Sequence, residues 1–219
     1  MTHPQPPAPA PLKTGRRRLL GALAIASTLP LLQACFPVVA TGVGAAGAMV
    51  ADRRTSGAYV EDESIEWKVA SRIRERLGDV VHINITSYNR IVLLTGEAPS
   101  QQLRDQLDGL VAEVDNVRSV VNEVAIAPKS ALTARGNDTL ITSNVKARFL
   151  DAGQFSAHNV KVVTEANVVF LLGIVTRSEA DNAAEIARTS KGVSKVVRVF
   201  EYISDEEARQ FDNPTSAQR

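Results

Sequence analysis

Ile91-Val92-Leu93-Leu94-Thr95-Gly96 and Val168-Val169-Phe170-Leu171-Leu172-Gly173 are two versions of one apolar run that stops at a glycine. Around them, residues 62–126 align with residues 138–202 at an offset of 76 or 77. Asp62, Ile65, Val69, Arg72 and Ile73 match Asp138, Ile141, Val145, Arg148 and Phe149. Ile83 and Ile85 match Val160 and Val162, and Val117, Val120, Val121 and Val124 match Val193, Val196, Val197 and Phe200. A repeat of this length means two copies of one small domain.

Within each copy the hydrophobic period changes in a fixed order. Ile65, Val69, Ile73 and Leu77, and likewise Ile141, Val145 and Phe149, recur every four residues. Each copy therefore opens with an amphipathic helix, with Asp62 or Asp138 placed to cap its start. β-rich runs follow at 82–88 and 91–97, and at 159–164 and 168–176, joined by Asn89-Arg90 and Ala166-Asn167, which suit tight turns. A second helix is predicted over 100–113 (Leu103, Leu107, Leu110, Val111) and over 178–190 (Ala180, Ala183, Ala184, Ile186, Ala187). A last strand, 118–126 or 194–202, completes an α-β-β-α-β unit. The fold class is α+β: two tandem domains, 62–127 and 138–203, each a three-stranded mixed sheet with two helices on one face. A unit of about 65 residues is near the lower limit for a lone core, so packing of the copies on one another would help both.

The amino-terminal stretch reads differently. The first 34 residues hold Lys13, Arg16, Arg17 and Arg18 and no acid, and the apolar run 19–32 is only 14 residues long and contains Pro30. About 20 apolar residues are needed to span a bilayer, so this is a secretory signal covering 1–34. Leu32-Gln33-Ala34-Cys35 resembles a bacterial lipobox. The resemblance implies that Cys35 carries diacylglycerol and N-acyl chains, and two or more chains anchor stably. Arg16-Arg17 also resembles a twin-Arg export signal, which leaves the export route open. Residues 35–61, Gly-, Ala- and Val-rich, are expected to be a flexible tether reaching roughly 30 Å. Residues 204–219 read as a polar tail.

The element order, the Asn-Val/Ile strand, the Val-x-Leu-x-Gly strand end and the Val-x-x-Val start of the last strand resemble the BON domain of bacterial envelope proteins. With the lipobox, the tether and Asn137-Asp138-Thr139-Leu140-Ile141-Thr142 followed by Asn159-Val160-Lys161-Val162, the whole resembles dual-BON-domain outer-membrane lipoproteins of the DolP type. Those often show an aromatic residue where this chain has Leu140. The resemblance implies an outer-membrane, lipid-anchored location facing the periplasm and a role in envelope integrity, division sites among its places of action. Phe36 after Cys35, by resemblance to enterobacterial sorting rules, permits transport to the outer membrane.

Little here suggests catalysis or nucleic-acid binding. From Cys35 on there are 21 bases and 24 acids, the wrong balance for a nucleic-acid binder. A single cysteine excludes an internal disulfide framework and a multi-Cys metal site. Beyond His3, the histidines are His82 and His158, at matched positions before the first strand of each copy and more simply read as solvated loop residues than as a paired site. No zinc-protease, Walker or nucleophile-elbow spacing occurs. Gly96 and Gly173 read as close-packing or turn glycines. The acidic groups Asp62-Glu63-Glu66 and Asp205-Glu206-Glu207 are read as helix-start charge and solvated tail before any divalent cation site. The expectation is a non-catalytic protein without metal or soluble cofactor.

Charge separates the copies. Residues 62–127 hold 7 bases and 11 acids, whereas 138–203 hold 8 bases and 7 acids. Any affinity for anionic phospholipid should belong to the second copy, whose first helix carries Lys146 and Arg148 with Leu140 and Leu150 off the predicted core face. Arg188, Lys191, Lys195 and Arg198 form a further basic set. The leucines could equally pack on the other copy or the loops, with the bases as ordinary solvated charge, and the residues leave both readings open. The resemblance implies binding of phosphatidylglycerol or cardiolipin through this helix, placing the candidate lipid contacts at Leu140, Ser143, Lys146, Ala147 and Leu150. A rival reading is an adaptor whose strand edges or Ile/Val-rich sheet faces engage an outer-membrane assembly complex. A soluble-type chaperone is disfavoured by the Cys35 anchor.

Overall fold

The computed structural model describes residues 52–212; the signal, Cys35, the tether up to residue 51 and the last seven residues lie outside them. The first copy runs α1 (Ser56–Leu77), a 3-10 turn (Gly78–Val80), β1 (His82–Tyr88), β2 (Ile91–Ala98), α2 (Gln101–Ala112), β3 (Ser119–Asn122) and β4 (Ala125–Ile126). The second runs α3 (Leu132–Ala152), a 3-10 turn (Ala157–Asn159), β5 (Val160–Glu165), β6 (Val168–Val175), α4 (Arg177–Arg188) and β7 (Lys195–Tyr202), with α5 (Asp205–Asp212) after it. In each sheet the middle strand pairs antiparallel with the strand before it and parallel with the last one. The last strand of the first copy, expected to be continuous, is interrupted. Asn122 turns its amide onto the Arg104 carbonyl and Asp108 and accepts the Val124 N–H, splitting β3 from β4.

The hairpins show what the two matched aspartates do. Asn89, Arg90, Ala166 and Asn167 all have positive φ, between 48° and 68°, the geometry of a two-residue turn that follows the strand twist. Asp62 accepts hydrogen bonds from the Asn89 and Arg90 N–H groups at 2.8 and 2.7 Å and from the Ser87 hydroxyl at 2.7 Å. Asp138 accepts from the Ala166 and Asn167 N–H groups at 3.0 and 2.8 Å. Both lie inside their helices rather than capping them, which corrects the expectation. Thr55 caps α1, accepting the Ala58 N–H, and α3 begins at Leu132 without a side-chain cap. A buried carboxylate on the first helix thus fastens the neighbouring hairpin.

Gly96 and Gly173 are close-approach residues. A Cβ at Gly96 would stand 2.1 Å from the His82 carbonyl oxygen, and one at Gly173 would stand 2.4 Å from that of Asn159.

Strand alternation divides the apolar side chains between two environments. Val92 and Leu94 meet Ile65, Val69, Leu107 and Val111 under α1 and α2. Val169 and Leu171 meet Val145, Phe149 and Ala183 under α3 and α4. Among the described residues no helix lies on the other face of either sheet, and the two bare faces meet. Tyr88, Leu93, Phe170, Leu172, Ile174 and Val199 form a third buried cluster made from both copies. The two copies together are therefore layered helix, sheet, sheet, helix. Polar pairs rim the joint: Asn84 donates to Glu165 at 2.6 Å, Asn89 donates to Glu201 at 2.7 Å, and Arg118 pairs with Glu201.

Two boundaries need correction. The tether expected up to residue 61 ends earlier, because α1 starts at Ser56 and Asp52-Arg53-Arg54 is strapped to both copies. Buried Arg53 donates to Glu179 at 2.6 and 2.9 Å, to Asp212 at 2.9 and 3.1 Å and to the Ile174 carbonyl. Arg54 pairs with Asp52 and with Asp62 at 2.8 Å. Burial opposes the Arg53 charge, but the hydrogen bonds it donates to Asp212 and Glu179 outweigh it and hold the guanidinium above its usual pKa. The polar tail, in turn, begins as helix α5, with Ala208 buried and Ser204 and Glu207 closing a capping box.

Three outcomes follow from these contacts. Phe170→Ala, at the joint, is expected to lower stability by about 3–5 kcal/mol while urea unfolding of both copies stays a single transition; separate transitions would mean the joint does not couple them. Asp62→Ala removes a charged acceptor of several bonds and is expected to cost about 3 kcal/mol, more than Asp138→Ala, in the same assay. Glu201 is held below the usual carboxylate range by its hydrogen bond from Arg118, against burial and with help from Asn89. Its contribution is thus full above the ordinary glutamate pKa and is lost as pH falls through the depressed one. Glu201→Gln should flatten that acid limb of stability against pH.

Candidate functional site

Helix α3 is apolar on two opposite sides. Ile141, Val145 and Phe149 bury themselves under the second sheet. On the far side, Leu132, Gly136, Leu140, Ser143, Ala147 and Leu150, spaced by fours and threes, form one exposed stripe with no charge in it. Leu132, Leu140 and Leu150 are 81%, 71% and 64% exposed. The alternative that Leu140 and Leu150 pack against the other copy is thereby answered for Leu140, which stands in solvent; Leu150 borders a cleft between the copies. Helix α1 has no such stripe, since the positions matching Leu140 and Leu150 are Ser64 and Arg74. Its own exposed Val60 and Trp67 have the acidic Glu63 between them.

The basic residues divide. Lys146 is exposed beside the stripe and makes no hydrogen bond or ion pair among the described residues. Arg148 turns away, donating to the Ile186 carbonyl, Ser190 and Thr189 at the end of α4, so it serves as a helix cap. Arg188 and Arg198 are ion-paired to Glu185 and Asp181. Of the sequence-predicted cations, Lys146 alone joins Leu140, Ser143, Ala147 and Leu150 on the outer side of α3.

Two clefts between the copies flank Lys146. One, of about 510 Å³, is polar and runs past His82, Asn84, Arg135, Thr142 and Glu165. The other, of about 530 Å³, is lined by Tyr59, Tyr88, Lys146, Leu150, His158 and Lys161 among others. In the second, Asp52 is engaged by Arg54 and by the Tyr88 hydroxyl at 2.9 Å. Burial foremost, then the neighbouring Asp52, pushes the Tyr88 phenol above its usual pKa, keeping it a neutral donor. His82 and His158 line different clefts and form no joint site; His82 Nδ1 lies 3.0 Å from Glu97. Of the group Asp62-Glu63-Glu66, Asp62 holds its hairpin, and Glu66 accepts the Ser87 N–H at 2.7 Å and meets Lys161 at 3.4 Å. Among the described residues no group of three or more metal-binding side chains occurs.

Tyr59, Tyr88, His158 and Lys161 had no place in the sequence-based site. Lys161 was legible in principle, because it alternates with core residues Val160 and Val162 and so points to the joint between sheets. The aromatic residues reach the cleft only through the packing of one copy on the other.

A family model described as the BON domain matches residues 61–128 and 137–204. The chain is 36% identical over 174 residues to the protein named outer membrane lipoprotein DolP of Haemophilus influenzae, covering 78% of this chain and 90% of that protein. It is 35% identical over 154 residues to the 21 kDa hemolysin of Actinobacillus pleuropneumoniae, covering 69% and 79%. Similarity extends to osmotically-inducible protein Y of Escherichia coli, 27% identical over 144 residues, covering 64% and 72%. Duplicated α-β-β-α-β units matched by this model along most of their length make the chain a member of the BON-domain family, of the dual-BON DolP type.

Proposed function

We propose that this is a non-catalytic, lipid-anchored protein of the outer membrane, facing the periplasm, whose second BON domain binds anionic phospholipid and so supports envelope integrity. The observation that carries this reading is the uncharged stripe of three exposed leucines on α3 with the unpaired Lys146 at its edge. Support for the location comes from the DolP relative's name and from the lipobox-like Leu32-Gln33-Ala34-Cys35. Partial insertion of three leucines and one lysine near an anionic surface amounts to roughly 4–5 kcal/mol, a Kd of about 0.1–1 mM. That is weak alone. It becomes sufficient when an acylated Cys35 holds the domain at a millimolar-range local concentration, so α3 selects headgroups while the acyl chains retain the protein.

The alternative, a periplasmic adaptor for an envelope assembly machine, draws on the exposed Trp67 and Val60 of α1. Its apolar sheet faces are not on offer, being buried on one another. The fragment from Asp52 to Arg219 keeps all three clusters of core side chains and suits a direct test. It should co-sediment with liposomes containing phosphatidylglycerol or cardiolipin and not with zwitterionic ones, with binding lost on Leu140→Glu and weakened more than about tenfold by the charge reversal Lys146→Glu. Equal binding to both liposomes, or to neither, would remove the lipid reading and bring the adaptor forward.

A further inference from the structure

We propose that the cleft bounded by Tyr59, Tyr88, Lys146, His158 and Lys161 receives the phosphodiester headgroup of the anionic lipid whose acyl region meets the α3 stripe. This rests on the reading of α3 as the lipid-facing helix. The cleft opens beside Leu150, which belongs to its lining and to the stripe alike. A lipid lying along α3 thus has its polar end at the cleft mouth. At about 530 Å³ the space falls in the range of small-molecule sites, roughly 300–1,000 Å³.

The polar groups suit a monoanion rich in acceptor oxygens. Lys146 and His158 have no hydrogen-bond partner among the described residues. Lys161 stands 3.4 Å from Glu66, longer than a charge-assisted hydrogen bond, and Glu66 spends its shorter contact on the Ser87 N–H at 2.7 Å. Asp52, the acid in the lining, is already paired with Arg54 and Tyr88. The cleft therefore offers the Lys146 ammonium and the His158 imidazole unengaged, with the Lys161 ammonium shared with Glu66 at 3.4 Å. Its aromatic wall is held in place by the Arg54 guanidinium, which lies 4.2 Å from the Tyr88 ring centre and 5.0 Å from that of Tyr59. Both copies line it: Tyr59 and Tyr88 come from the first, and Lys146, His158 and Lys161 from the second. The first domain is then part of the lipid site, although its own first helix lacks the leucine stripe.

The test titrates the 52–219 fragment with sn-glycero-3-phosphoglycerol, with inorganic phosphate and with phosphatidylglycerol liposomes, in wild type, His158→Gln/Lys161→Gln and Leu140→Glu forms. Lys161 and His158 lie at the surface, so circular dichroism should show the double variant folded. The expected result is that glycerophosphoglycerol shifts the NMR signals of His158, Lys161 and Tyr59 in wild type and Leu140→Glu but not in the double variant. Phosphate should shift them less. The double variant should also bind phosphatidylglycerol liposomes about fivefold to tenfold more weakly. Unchanged liposome binding by the double variant, with no headgroup shifts in wild type, would overturn the cleft while leaving the α3 reading standing. Shifts as large with phosphate as with glycerophosphoglycerol, and no liposome binding by wild type, would overturn both in favour of a free-phosphate site.

Discussion

Each sheet has two helices to cover one face, and the other face would be left bare in water: Tyr88 and Leu93 on one sheet, Phe170, Leu172 and Ile174 on the other. The two bare faces cover each other, and the rest of the structure is arranged around that joint. It gives two domains near the lower size limit a shared core between their own. It also places β1 beside β5, so that Asn84 reaches Glu165, and brings the β1–β2 hairpin of the first copy to Glu201 of the second. The strap at Asp52-Arg53-Arg54 reinforces it, since Arg53 is held by the second copy and by α5 while Arg54 is held by the first.

Function follows from what the joint leaves outside. With the sheet faces consumed, a large apolar surface has to come from a helix. The second copy supplies one because α3 carries leucines opposite its core face, whereas the matched positions of α1 are Ser64 and Arg74. Duplication followed by this divergence assigns the copies different work: one presents the stripe, and the other completes the clefts beside it.

Much of this was legible in the sequence. The repeat, the order of elements and the turns at Asn89-Arg90 and Ala166-Asn167 could be read because they depend on local periodicity and on residues that tolerate positive φ. The joint was written there too: Ile91-Val92-Leu93-Leu94 and Val168-Val169-Phe170-Leu171-Leu172 are apolar at successive positions, the pattern of strands buried on both faces. The work of Asp62 and Asp138 was misread because a carboxylate near a helix start looks the same whether it caps the helix or reaches across to a hairpin. The fixed ends at Arg53 and Asp212 were missed for a similar reason, their partners lying more than a hundred residues away in sequence, whereas the start of α5 carried a local signal in Ser204 and Glu207. The α3 stripe was visible as leucines off the core phase, but which lysine or arginine accompanies it depended on Arg148 finding the end of α4, a tertiary contact with no local signature.

The joint leaves the outer face of α3 exposed, and in the proposed function that face meets the membrane. The decisive measurement is paramagnetic broadening of the 52–219 fragment by bilayers of phosphatidylglycerol doped with headgroup-nitroxide lipid. Broadening strongest at Leu132, Leu140, Ala147 and Leu150, with Trp67 spared, is the predicted pattern. Broadening centred on α1, or spread evenly over the surface, would contradict it.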